Sequence, residues 1–241
     1  MKSLTIHPLQ TRTFHVYENL HDFVVESIPQ KLIHEEITIA ITSKIVSLAE
    51  GRLVSRTSIE KEELVRQEAD VFLGKINPEC FLTIKNGLLI PSAGIDESNS
   101  ENGDYILFPE NPFQSAEKLW ADLRKTWQIE KLGIVITDSR ISPLRRGTTG
   151  VCLSYAGFHG VRSLVGNPDL FGRPLRMTQM NLADGLAAVA VMVMGEGAES
   201  RPLALIENAE LEFSDKRQTN EMDIPLEEDL FFPVLNVVQK I

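Results

Sequence analysis

Two short acidic loops carry the most chemistry in this chain. Residues 92–99 (SAGIDESN) place Asp96 and Asn99 three positions apart behind a glycine. One such turn can offer a carboxylate and an amide to a hard cation and to a polar ligand beside it. Spacing alone favours an Asx turn, with Asp96 bonded to nearby backbone N–H groups, because Asp and Asn are the usual residues of turns. Asp138 and Ser139 follow the apolar run 132–137 (LGIVIT). A carboxylate at a strand mouth, followed by a hydroxyl, suits magnesium, which takes few protein oxygens and leaves positions for phosphates. Capping a turn is the alternative role. Lys44 closes another β-branched run, ITIAIT, beside Thr42 and Ser43; it can meet a phosphate as a point charge or snorkel at the surface. Arg145 and Arg146, just past Pro143, offer planar forks for a carboxylate, a phosphate or a surface ion pair.

Several chemistries are excluded. There is no G-x-x-x-x-G-K-[ST] loop, no G-x-G-x-x-G after a strand and no G-x-S-x-G elbow. The five histidines are scattered, without HExxH spacing, which speaks against a zinc hydrolase. Cys80 and Cys152 lie far apart and read as buried apolar thiols, and Cys152 has no local base for covalent catalysis. A formal charge of −10 suggests no basic surface for nucleic acid. No apolar run is long enough for a membrane span and the N-terminus has no secretory pattern, so the cytoplasm is the expected address. Much of the excess acid falls in 207–229, which reads as a solvated surface segment.

The elements that must position these loops alternate between strand and helix. Strands are predicted over Ile37–Thr42, 132–137 and 203–206, the second ending at Asp138. One helix is expected from a Thr57 or Ser58 cap to about Phe72. A second follows Pro112 with Ser115 as its cap, and its stripe includes Trp120 and Trp127 as core. A third, 181–194, is apolar nearly all round and should be central; Gly195 breaks it. No linker separates independent domains. The pattern predicts an α+β fold of mixed sheets with helices, one compact unit of two intimate lobes.

Five strings then occur in order: ITSKIVSLAEGR (41–52), SAGIDESN (92–99), ITDSRISPLRRGTTGV (136–151), DLFGRPLRMT (169–178) and LADGLAAVAVMVMGEGAE (182–199). Together they resemble the γ-glutamyl ligase family typified by coenzyme F-420:L-glutamate ligase, over about residues 8–202. The resemblance implies one ligase domain, 1–241, with 207–241 as an acidic C-terminal segment. PLQTR at 8–12, PLRRG and MGEGAE are more similar to a bacterial branch described as γ-glutamate ligases of folate metabolism.

The resemblance implies that GTP or ATP, with Mg2+ or Mn2+, activates a substrate carboxylate as an acyl phosphate, which the amine of L-glutamate attacks. By motif position, Asp96, Asp138, Ser139 and Glu196 would hold metal. Thr42, Ser43, Lys44 and Asn99 would bind the nucleotide, and residues 195–201, with Gly195, Gly197 and Glu199, would wrap it. Lys44 and Arg145 are the candidates to meet charge during transfer. A homodimer is implied, with small-molecule substrates rather than nucleic acid or membrane as partners.

Three departures bear on the acceptor. Residues 141–145 read ISPLR where the deazaflavin enzymes have Gly-Arg-Pro-Trp-Arg, Gly185 replaces a Glu, and the N-terminal glycine-led acidic turn is missing. The expected acceptor is therefore folate-type. The alternatives are the deazaflavin precursor coenzyme F-420-0, or a nucleotide- and metal-binding protein that has lost ligation.

Overall fold

A computed structural model describes residues 3–216 and 221–238. The strands are β1 (Thr5–Leu9), β2 (Ile37–Thr42), β3 (Leu53–Val54), β4 (Val71–Asn77), β5 (Cys80–Lys85), β6 (Leu88–Pro91), β7 (Tyr105–Ile106), β8 (Leu132–Ile141), β9 (Thr148–Ala156), β10 (Val161–Ser163), β11 (Gln179–Asn181) and β12 (Leu203–Glu207). The helices are α1 (Leu20–Ser27), α2 (Ser43–Glu50), α3 (Lys61–Glu68), α4 (Pro112–Trp127), α5 (Leu182–Met194) and α6 (Phe232–Val238). The fold is α+β, as predicted.

The main sheet runs β1-β12-β2-β8-β9, with β2 and β8 parallel and the other pairs antiparallel. Side chains alternate across a strand, and here the alternation sorts large from small. Ile37, Ile39, Ile41, Leu132, Ile134, Ile136, Leu203 and Leu205 face a core shared with α1, α2 and α4. Each such side chain contributes roughly 1.5–3 kcal/mol by leaving water. The opposite face carries Ala40, Val135 and Ala204, against which α5 lays Ala183, Ala187 and Ala190. Small residues on both surfaces let helix and sheet approach closely. At Gly150 a Cβ would stand 2.3 Å from the Ala187 carbonyl oxygen, so only glycine fits there.

A smaller lobe, built from α3 and the sheet β4-β5-β6, packs around Leu64, Val65, Phe81 and Ile95. Strands β3 and β7 pair where the chain enters and leaves this lobe, forming its neck.

Several boundaries differ from expectation. Helix α3 starts at Lys61 and stops at Glu68, because Phe72 belongs to β4 and packs on Phe81. Asn111, not Ser115, caps α4: its side chain accepts from the Gln114 N–H, and Pro112 is preset for the first turn. Helix α5 covers one face of the sheet instead of lying centrally, and Met192 on its outer side is 74% exposed. Cys80 is only partly buried. The acidic 207–229 segment is not simply solvated. Glu207 accepts from His7 and His34, and Glu221 holds Tyr155, His159 and the Gly160 N–H.

Candidate functional site

Parallel strands β2 and β8 run side by side until β2 ends at Thr42, paired to Thr137. Ligands of open α/β sheets bind beyond such carboxyl ends, and a cleft of about 480 Å³ opens there. A larger hollow, about 700 Å³, lies between α1, α2 and α4; the candidate acids line the smaller one.

The chain passes from Thr42 directly into α2. Thr42 makes no side-chain cap, so the first-turn N–H groups of α2 remain available to an anion at the positive end of the helix. Lys44, on that turn, points across the cleft to Asp96.

Strand β8 does not end before Asp138, as the sequence predicted. It runs on to Ile141 because β9 keeps pairing with it. Beside Asp138 the ladder carries a bulge: Ile136 faces Ser154, whereas Thr137 faces Cys152. Bulges bend a strand and re-aim side chains. Ser43 donates its hydroxyl to Asp138 Oδ1 at 3.4 Å. Burial pushes the Asp138 carboxyl up to about 7, and the neighbouring Asp96 charge adds to the rise. Ser139 donates to Glu196 Oε1 at 2.6 Å, tying β8 to the loop after α5.

Asp96 reaches the cleft from the small lobe. Ser92, Ala93 and Gly94 all take left-handed backbone angles, a strained run of the kind that collects at functional sites. A Cβ on Gly94 would meet the Phe108 ring at 2.1 Å. Asp96 is then pinned to the neck by two backbone hydrogen bonds with Ile106. Its Oδ2 lies 2.6 Å from Lys44 Nζ, and its Oδ1 accepts from the Ser98 N–H and hydroxyl. Burial alone would raise this carboxyl, but Lys44 and Ser98 outweigh it and hold Asp96 below the usual range. The expected Asx turn and the expected cleft position therefore coexist.

Helix α5 ends at Gly195 (φ 86°, ψ 170°). Glu199 folds back over this turn, accepting from the Gly197 N–H at 2.8 Å and filling the space a Gly195 Cβ would need. Thr42, Lys44, Asp96, Asn99, Asp138, Ser139 and residues 195–201 all line the cleft, and Ser43 touches it through Asp138. Arg145 does not. It is exposed in the turn between β8 and β9, held by its N–H to the Ser142 carbonyl. Gly185 sits on the outer face of α5 with open space around it, away from the cleft.

Sequence reasoning missed Arg12 and Ser98. Arg12 lines the cleft and pairs with Glu18 and Glu26. Ser98 bridges Lys44 and Asp96. Its position two residues after Asp96 was the available signal; Arg12 ends the PLQTR string, which marked a family branch and not a place in the cleft.

The donors facing the cleft are hard oxygens, suited to Mg2+ or Mn2+ and not to a soft metal. Among the described residues, no three acidic, histidine or cysteine side chains converge tightly enough to hold an ion alone. Asp96 and Asp138 with the Ser139 hydroxyl fit a cation that takes its remaining ligands from phosphates and water.

A family model described as F420-0:gamma-glutamyl ligase matches residues 8–208. The chain is 31% identical over 206 residues to a coenzyme F420:L-glutamate ligase of Methanopyrus kandleri, covering 78% of this chain and 80% of that one. Proteins of the same name from Methanococcus maripaludis and Methanocaldococcus jannaschii are each 32% identical. The first match covers 86% of this chain and 83% of the relative; the second covers 86% and 88%.

Proposed function

Since the chain belongs to the F420-0:gamma-glutamyl ligase family, we propose that it joins L-glutamate to a carboxylate of the coenzyme F420-0 type at the expense of a nucleoside triphosphate. The names of its relatives favour this deazaflavin acceptor over the folate-type one expected from the loop departures. The observation that carries the site assignment is the Lys44–Asp96 pair, whose two charges both act on Asp138 where the three residues line one cleft.

The chemistry follows from the charges. The acceptor carboxylate attacks the terminal phosphorus, displacing nucleoside diphosphate and leaving an acyl phosphate. The glutamate amine, having lost a proton, attacks the acyl carbon, an amide forms and phosphate leaves. Such transfers depend mostly on alignment and charge neutralisation. The α2 N–H groups and Lys44 would meet phosphate oxygens, Asn99 and residues 195–201 would enclose the nucleotide, and Asp96 and Asp138 would hold divalent metal, with the Ser139 hydroxyl contacting a second ion and Glu196 a further metal contact. When bound, that metal offsets the negative charge of the phosphate chain.

Gly185 lies outside the cleft, so that departure gives little support to a protein that binds but does not ligate. Among the described residues no helix is long and apolar enough to cross a membrane. The proposal places the enzyme in the cytoplasm as a homodimer, which sedimentation of the purified protein tests.

The ligase test uses GTP or ATP, Mg2+ or Mn2+, L-glutamate, and either coenzyme F420-0 or a folate, with phosphate release and product mass followed. Glutamylated F420-0 is expected. Turnover with folate alone would reverse the acceptor assignment. Metal-dependent nucleotide binding without turnover on either acceptor would replace the ligase with a binding protein.

A further inference from the structure

The two carboxylate oxygens of Asp96 stand in different circumstances. Oδ1 accepts twice from one residue, from the Ser98 N–H at 2.6 Å and from the Ser98 hydroxyl at 2.8 Å. Oδ2 meets Lys44 Nζ at 2.6 Å and no other group among the described residues. A carboxylate oxygen offers about two lone-pair sites, so Ser98 saturates Oδ1. Only Oδ2 is left for anything that displaces Lys44.

That division does not depend on the lysine. Lys44 donates to the Ser98 oxygen at 3.1 Å, but the serine proton goes to Asp96. The Asp96 backbone is fixed separately, by two bonds of 2.9 Å to Ile106. When Lys44 turns to a phosphate, both Oδ1 contacts can therefore remain, and the carboxylate keeps its aim. Asp138 repeats the pattern more loosely. The Ser43 hydroxyl stands 3.4 Å from its Oδ1, and no side chain is bonded to its Oδ2 among the described residues.

One available oxygen per carboxylate suits some cations and not others. Mg2+ demands near-octahedral geometry and takes few protein oxygens. Ca2+ gathers roughly six to eight oxygens, often two of them from one carboxylate. We propose that Ser98 determines the metal specificity of the cleft: by filling Oδ1 it confines Asp96 to one-oxygen coordination, which favours Mg2+ or Mn2+ over Ca2+. Ser98 does not itself line the cleft; it is a positioning residue that acts through Asp96. The proposal rests on the metal role given to Asp96 in the ligase reading above.

The test uses the full-length protein with Ser98→Ala and Ser98→Thr, each also made in a Lys44→Met background. Mn2+ is bound together with a non-hydrolysable GTP or ATP analogue and followed by electron paramagnetic resonance, so the reading does not depend on turnover. Mg2+ or Ca2+ is then titrated in, and the ratio of Ca2+ to Mg2+ needed for half-displacement is recorded. Wild type should need more Ca2+ than Mg2+. Ser98→Ala should lower that ratio roughly three- to tenfold, less than a whole charge-assisted hydrogen bond because the backbone N–H still occupies Oδ1. Ser98→Thr keeps the hydroxyl and should stay near wild type. The alanine shift should persist in the Lys44→Met background, since it runs through Asp96.

An unchanged ratio in Ser98→Ala, or a threonine variant that behaves like alanine, would overturn the proposal. So would a shift that vanishes in Lys44→Met, because the serine would then act by anchoring the lysine. Wild-type protein that binds no Mn2+ with the nucleotide would remove the metal role of Asp96 and this inference with it. Protein that shows the expected shift but never ligates would overturn the ligase reading alone.

Discussion

The two acids that face each other across the cleft are held by opposite means. Asp138 stands on the longest strand of the main sheet, in the middle of a ladder, half-buried, and makes no ion pair among the described residues. Asp96 hangs from the small lobe on three successive left-handed residues, already charged and paired with Lys44. The first acid costs stability when ionised and is fixed in place; the second is stabilised by a partner that a phosphate could take from it. On the proposed reading, a metal–nucleotide complex would bind this cleft, with its one rigid and one exchangeable wall, by replacing the Lys44–Asp96 pair with Lys44–phosphate and Asp96–cation contacts.

Removing the rigid acid should have the largest effect. Asp138→Asn is expected to weaken metal-dependent nucleotide binding by at least about a hundredfold, the scale of losing a buried charged partner, as calorimetric titration would read. The metal-free variant should melt at the same temperature or higher, because a carboxylate disfavoured by burial has been replaced by a neutral amide. Nucleotide affinity that survives this change would remove Asp138 from the site.

Gly94→Ala tests the exchangeable wall by its strain. The new Cβ would collide with the Phe108 ring, at a left-handed φ of 72° that alanine also disfavours. A cost of roughly 1–3 kcal/mol is expected, with nucleotide affinity falling and Asp138-dependent metal binding retained. A variant as stable as wild type would show that the small lobe yields freely. Lys44→Met should act more narrowly: about a tenfold loss in nucleotide affinity from one missing charge-assisted contact, and an Asp96 carboxyl that titrates higher without its cation. Carbon-detected NMR of the Asp96 carboxyl would follow the second effect.

The sequence made the rigid wall legible and much of the exchangeable wall obscure. Continuous apolar, β-branched runs marked β2 and β8, and an Asp or Lys just past each run was visible without a structure. Local pattern could not show that β8 continues beyond Asp138, because that extension depends on pairing with β9 and on a bulge set by tertiary contacts. Helix α3 was drawn too long for a related reason: Phe72 fits a helical stripe as well as it fits β4. The role of Ser98 requires the small lobe to fold back on its neck, a contact between residues far apart in the chain. Arg145 was offered by the sequence as a fork for a carboxylate or phosphate, and the hairpin geometry puts it outside the cleft lining.

The smallest expected effect concerns what keeps the rigid wall rigid. Glu221 accepts from the Tyr155 hydroxyl at 2.8 Å and the Gly160 N–H at 2.6 Å, and it pairs with His159 at 3.0 Å. The Gly160 carbonyl in turn accepts from Leu182 and Ala183, the start of α5, whose far end carries the Gly195 loop. Burial would raise the Glu221 carboxyl, but these donors outweigh it and hold the carboxyl below its ordinary value of 4.5. A carboxyl depressed in the folded state adds stability above that ordinary value and loses it as pH falls through the folded pKa. Glu221→Gln should therefore cost about 1–2 kcal/mol at pH 7, and the gap from wild type should close as the pH is lowered from about 5 to 3. Calorimetric melting across that window reads the effect directly. A gap that stays constant with pH would mean that Glu221 acts by shape and not by charge. Nucleotide affinity that drops with the variant at pH 7 would then show the C-terminal segment bracing α5 and, through it, the rigid side of the cleft.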